Sequence, residues 1–168
     1  GSNIPFTVLR LSPSKGIMHN KFILKDALVP NKAEMMTGSM NLTNSGIDED
    51  ANNVFLFKNY VITSIYLKEF EEMWDSSTDV PGPDPKSGSA KRDNTMHHVN
   101  IVGKDFEIYF APSDSTQAHI QQSLATTDHS LRFAMYTLTN DEITNQLISV
   151  GQIHNDFLGI VDNIGTSR

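Results

Sequence analysis

With 168 residues, 38% of them hydrophobic, the chain is long enough to bury one real core. It has no cysteine, which excludes disulfides and cysteine-based metal sites. Its net charge of −7 disfavours a general nucleic-acid-binding surface and leaves room only for a local basic cleft.

No apolar run reaches transmembrane length and no signal peptide is visible. Gly1-Ser2-Asn3 looks like a vector remnant, so an excised piece is expected and the cellular location is not legible. In chain order, residues 4–11 read as a short edge strand with Pro5 near its start, and 12–16 as a turn. Residues 17–25 read as a strand closed by Asp26. On such a strand His19, Lys21 and Ile23 share one face, while Phe22 and Leu24 turn into a core. A loop over 27–32 leads to a second strand, 33–38, followed by Gly38-Ser39-Met40-Asn41. Ser39 and Asn41 again stand two apart, just after a strand. An imidazole, an ammonium, a hydroxyl and a carboxamide suit an oxyanion such as phosphate. Residues 43–46 form a polar turn. Asp48-Glu49-Asp50 fits a solvated turn better than a hard-cation site, which needs more oxygens. Residues 54–57 read as a buried strand.

Residues 60–74 have the spacing of a strongly amphipathic helix. Ile62, Ile65, Tyr66, Phe70, Met73 and Trp74 form the inward stripe, and Glu69, Glu71 and Glu72 the wet face. The following stretch holds three Pro, two Gly and four Ser without an apolar period. It predicts a linker over 76–95, between halves 1–75 and 96–168. The second half predicts two short strands, 99–102 and 106–110, around Gly103, then a helix over 115–127. Residues 131–138 read as a central strand, apolar on both faces. Thr139-Asn140-Asp141-Glu142 reads as a capping box opening a helix over 141–153, with Ile143, Leu147, Ile148 and Val150 inward. A last strand covers 157–161. The alternation of strands and helices predicts an α/β fold: a mixed, largely parallel sheet with helices on both faces. His98, Asn100 and Asp105 repeat the spacing of His19, Lys21 and Asp26, but Asn replaces the cation and an opening strand fits better. His97, His119, His129 and His154 are scattered along the chain.

His-x-Lys-x4-Asp at His19, Lys21 and Asp26, followed by Gly-Ser-x-Asn at Gly38, Ser39 and Asn41, resembles the signature of the phospholipase D superfamily. The closing pattern Phe70-x-x-Met73-Trp74 resembles the last helix of such a domain. The second half looks like the opening of another, with Phe-x-Pro, a strand ending Tyr136-Thr137-Leu138-Thr139, and Gly159-Ile160-Val161-Asp162. The resemblance implies a closing half-domain in 1–75 and an opening half-domain in 96–168. The two halves are expected to pack as one permuted domain, within a chain or exchanged between two. It also implies phosphodiester chemistry without metal or cofactor, on a phospholipid or a nucleic acid, by hydrolysis or transfer. His19 would be the nucleophile, Lys21 and Asn41 would hold phosphate oxygens, Ser39 would assist, and Asp26 would tie the motif down. Asn52 stands where the family commonly has a carboxylate that orients the His, and Asn53 follows it. Asn52 supplies no charge there, and Asp50 is the alternative. A second motif must come from further residues or from a homodimer partner. A non-catalytic phosphate-binding or structural module is the alternative.

Overall fold

The computed structural model describes residues 16–163, in two compact units that divide between Asp114 and Ser115. The strand expected over 4–11 lies outside the described residues.

The first unit begins with three strands, β1 (Phe22–Lys25), β2 (Glu34–Gly38) and β3 (Val54–Phe57), in the order β1-β2-β3. Both pairings are antiparallel. Phe22 faces Thr37, which faces Phe55, and Gly38 faces Val54. The strand expected over 17–25 is therefore shorter: pairing starts at Phe22, and His19 and Lys21 stand in the segment leading into it. Asp26 follows β1 in the left-handed region at φ 50°, which Asp tolerates, and its carbonyl accepts from Val29 N–H at 2.8 Å. The turn-closing role expected of Asp26 is what it does here. A short helix, α1 (Asn44–Asp48), occupies the expected polar turn, capped by Thr43 Oγ1 on Gly46 N–H.

Helix α2 (Tyr60–Trp74) has the bounds the spacing predicted, with Asn59 Oδ1 capping Ile62 N–H. It packs on β1 and β2. Ile62, Ile65, Met73 and Trp74 are buried as expected, but Phe70 is 40% exposed and Glu69 is only 1% exposed. Strand β3 is not the buried strand expected: Val54, Phe55 and Leu56 are all exposed.

Residues 76–95 do not behave as a solvated linker. Gly82 N–H bonds to Trp74 O, Lys86 N–H to Glu72 O, and Arg92 N–H to Glu72 Oε1, so the segment is laid along the end of α2. A hairpin of β4 (His98–Ile101) and β5 (Lys104–Glu107) then joins the same unit. Val99 and Phe110 pack with Ile65 in its core, and Phe106 meets Phe57 edge-on. Asn100 faces Asp105 across the hairpin and bonds to it at 2.6 Å, while Val102 and Gly103 both take positive φ at the tip. The motif-like spacing at His98, Asn100 and Asp105 is that of a hairpin.

The second unit contains α3 (Thr116–Ala125), β6 (Ser130–Met135), α4 (Asp141–Ile153) and β7 (Asp156–Val161). The strand–helix–strand unit pairs β6 with β7 in parallel, Phe133 opposite Gly159. Added side-chain bulk at Gly159 would run into the Phe133 ring. The cap of α4 is Asn140, whose Oδ1 accepts from Ile143 N–H, not a Thr139 box. Leu147 and Val150 are buried; Ile148 is exposed.

The fold is α/β, and among the described residues only β6 and β7 pair in parallel. Among the described residues the Phe55 and Leu131 strands belong to different sheets. The expected central strand, β6, has a single described partner.

Candidate active site

The candidate residues gather at the end of the first sheet, where the chain leaves β2 and enters β1. Gly38 is required there. A Cβ at this position would land on the backbone carbonyl of Asn53, with Asn53 C at 3.0 Å and Val54 Cα at 3.1 Å. This close approach lets Ser39 close the loop 39–53. Ser39 N–H donates to Asn53 O at 3.1 Å, and Asn53 N–H donates back to Ser39 Oγ at 3.0 Å. Ser39 Oγ–H in turn donates to Asn52 Oδ1 at 2.9 Å, and Asn52 Nδ2 donates to Gly46 O at 3.0 Å. Gly46 is a second close approach: a Cβ there would strike the carbonyl of Asn41.

The loop also carries Asn41, which lines a cleft of about 210 Å³ with Lys21, Ile23, Met36, Gly38 and Val54. Lys21 and Asn41 thus share one cleft, a cation and an amide. His19 is exposed beside it, and its backbone carbonyl accepts from Lys21 Nζ at 2.7 Å. Ser39 does not line the cleft with them; its hydroxyl is committed to Asn52 and Asn53. Asn52 bonds to Ser39 and Gly46, not to the imidazole of His19 as expected, because loop closure takes both ends of its amide. Asp50 N–H donates to Ser45 O at 2.8 Å.

Two side-chain contacts hold the approach to β1. From β2, Thr37 Oγ1 donates to Lys21 O at 3.1 Å. On α2, burial pushes the Tyr66 phenol up, with Thr37 opposing it. One turn on, Glu69 Oε1 accepts from Asn20 Nδ2 at 3.0 Å and from Lys91 Nζ at 2.7 Å. Burial pushes the Glu69 carboxyl up, while Lys91 beside it and the Asn20 bond pull it down; the balance is upward. Glu69 was assigned to the wet face. The signal against that was its spacing: it stands four residues after Ile65, three after Tyr66 and four before Met73, at the middle of the apolar stripe. Lys91 had no local signal, since it lies in a Pro/Gly/Ser-rich stretch.

A cation and a carboxamide that line one cleft are groups able to hold an oxyanion. Residues 2–74, less than half of the chain, match the family described as "Cardiolipin synthase, PLD-like domain", a likeness to the phospholipase D superfamily. Over 67 residues the chain is 34% identical to "Mitochondrial cardiolipin hydrolase" of Xenopus laevis, covering 40% of this chain and 30% of the relative. The Homo sapiens protein of the same name is 31% identical over 67 residues, 40% of this chain and 25% of the relative. That of Mus musculus is 33% identical over 60 residues, 36% and 25%. The chain thus spans less than a third of the relatives it matches. No solved structure matches it.

Proposed function

We propose that the chain contributes half of a phospholipid phosphodiesterase site, with His19 as nucleophile. The observation that carries this is the shared cleft of Lys21 and Asn41 beside His19. A phosphodiester seated there gives its non-bridging oxygens to the Lys21 ammonium and the Asn41 amide, which bind more strongly as charge builds in the transition state. His19 attacks phosphorus. The bond to the leaving oxygen breaks, and that oxygen takes a proton from a second histidine of the same motif type. The second histidine then removes a proton from water, which displaces phosphorus from His19. The net products are a phosphomonoester and an alcohol. The second motif comes from further residues or from a second copy of the chain. Ser39 supports the site by closing its loop and Asp26 by turning the chain out of β1.

A phospholipid is favoured over a nucleic acid by the name of the relatives, by the net charge of −7, and by an apolar hollow next to the site. That hollow is lined by Phe22, Ile23, Leu28, Val29, Leu67 and Phe70. The test incubates the chain with cardiolipin vesicles and, separately, with a single-stranded oligonucleotide, over a range of protein concentrations. Phosphatidate release that depends on His19, with a phosphorylated His19 trapped on acid quench, is expected. Activity that persists in His19→Ala, or cleavage of the oligonucleotide alone, would overturn the assignment. A chain that binds phosphate yet shows no turnover with a second motif supplied would be a phosphate-binding module instead.

A further inference from the structure

The mechanism above leaves unused the most deeply buried charged group in the first unit. The side chains of Glu69 and Lys91 are 2% and 4% exposed and lie 2.7 Å apart. Lys91 also donates to Ala111 O at 3.1 Å and sits 5.5 Å from the Phe110 ring centre. Its charge is therefore fixed by the core and not by solvent. The same carboxylate oxygen that takes Lys91 takes Asn20 Nδ2 at 3.0 Å. Asn20 stands between His19 and Lys21, in a segment with no strand partner among the described residues, where pairing begins at Phe22.

We propose that Glu69, oriented by Lys91, is a positioning residue for the His19–Lys21 segment. A strand neighbour would fix this segment by backbone bonds; here a buried ion pair fixes it through one side chain. A bond from an amide to a carboxylate is stronger than one between neutral groups, and the carboxylate that accepts this one is buried. Lys91 prevents the carboxylate from turning elsewhere and offsets its charge. The role of the tether in catalysis rests on His19 and Lys21 acting on phosphate; the tether itself does not.

The test uses the whole chain and compares Asn20→Ala, Glu69→Leu/Lys91→Met and Glu69→Gln/Lys91→Met with the parent. Both double variants remove the two charges together, so no buried ion is left unpaired. The Gln variant keeps an amide oxygen for Asn20. Backbone order parameters of residues 19–21 are read by NMR, together with affinity for inorganic phosphate. The parent segment is expected near the rigid value of about 0.85, and Asn20→Ala and the Leu variant below about 0.6. Phosphate binding should weaken about tenfold in those two. The Gln variant should recover both readouts. Asn20 is exposed, so Asn20→Ala stays folded and decides the matter should a double variant unfold. Unchanged order at 19–21 in Asn20→Ala would overturn the proposal. So would loosening spread equally over β1, which is what a purely structural pair would give. A parent chain that binds no phosphate, with order still lost in Asn20→Ala, would sink the proposed function and leave the tether standing.

Discussion

Substituting Gly38 by Ala tests whether the loop that carries Asn41 is closed as described. The added methyl meets only backbone: the carbonyl of Asn53 and the Cα of Val54. Nothing there can swing aside, so β2 and β3 must separate locally. Overpacking of this kind costs about 1–3 kcal/mol. The shift also strains the two bonds between Ser39 and Asn53, at about 0.5–1.5 kcal/mol each. Together these give about 2–6 kcal/mol. Gly103→Ala is the control. Gly103 has φ +76° and nothing within 4 Å, so its cost is left-handed strain alone, about 1–2 kcal/mol. Both glycines lie in the first unit, and the chain's one tryptophan, Trp74, is buried there and reports its unfolding. Urea titration followed by Trp74 fluorescence should find Gly38→Ala the less stable, by about 2–3 kcal/mol from the middle of the two ranges, with equal slopes. If Gly38→Ala unfolds at the same midpoint as Gly103→Ala, the close approach is wrong and with it the account of the loop.

Ser39→Ala should lower stability by about 1–2 kcal/mol through the lost bonds to Asn52 and Asn53, yet leave phosphate affinity nearly unchanged, checked by denaturation and titration. A tungstate or phosphate soak should place the anion within hydrogen-bond reach of Lys21 and Asn41; an anion on Ser39 instead would contradict the geometry. His97 faces two acceptors, Ile108 O at 2.9 Å and Asp93 Oδ1 at 2.8 Å, with Asp114 at 3.9 Å, and only the imidazolium donates from both nitrogens. Burial pulls its pKa down, but the bonds to Ile108 and Asp93 outweigh that and leave it raised above 6.5. The stabilisation is therefore complete below 6.5 and lost as pH rises through the folded value. The urea midpoint should fall over that window, and the fall should shrink in Asp93→Asn.

Most elements of the fold were legible because they rest on local chemistry. The period of Ile62, Ile65 and Met73 sets α2, and its ends follow from Asn59 and the left-handed Asp75. The hairpin at Val102-Gly103 and the α4 boundaries follow from turn residues and capping chemistry. What was not legible depends on partners distant in sequence. Nothing local says that Lys91 returns to α2, so a composition typical of linkers concealed a packed segment. Nothing local says that β3 lies at a sheet edge, so Val54-Phe55-Leu56, apolar in sequence, reads as buried when it is exposed. In the site, the spacing of His19 and Lys21 suggested a shared strand face. Lys21 and Asn41 do line one cleft, but β1 begins at Phe22, after both His19 and Lys21, and holds neither by pairing.

That late start has a physical consequence for how such a site is kept in order. A paired strand residue is held by backbone bonds on fixed centres, and its side-chain direction follows from the pleat. Among the described residues nothing pairs with 19–21, so side chains that reach them set their position. Thr37 of β2 bonds to Lys21 O, and Glu69 of α2 to Asn20. Three residues before Glu69 on the same helix, the ring of Tyr66 is clamped edge-on by Phe22 at 5.3 Å and Phe110 at 5.0 Å. The segment that carries His19 and Lys21 is thus tied to the sheet through Thr37 and to the core through Glu69. A change in the packing around Glu69 should then reach the cleft sooner than one at the exposed strand β3.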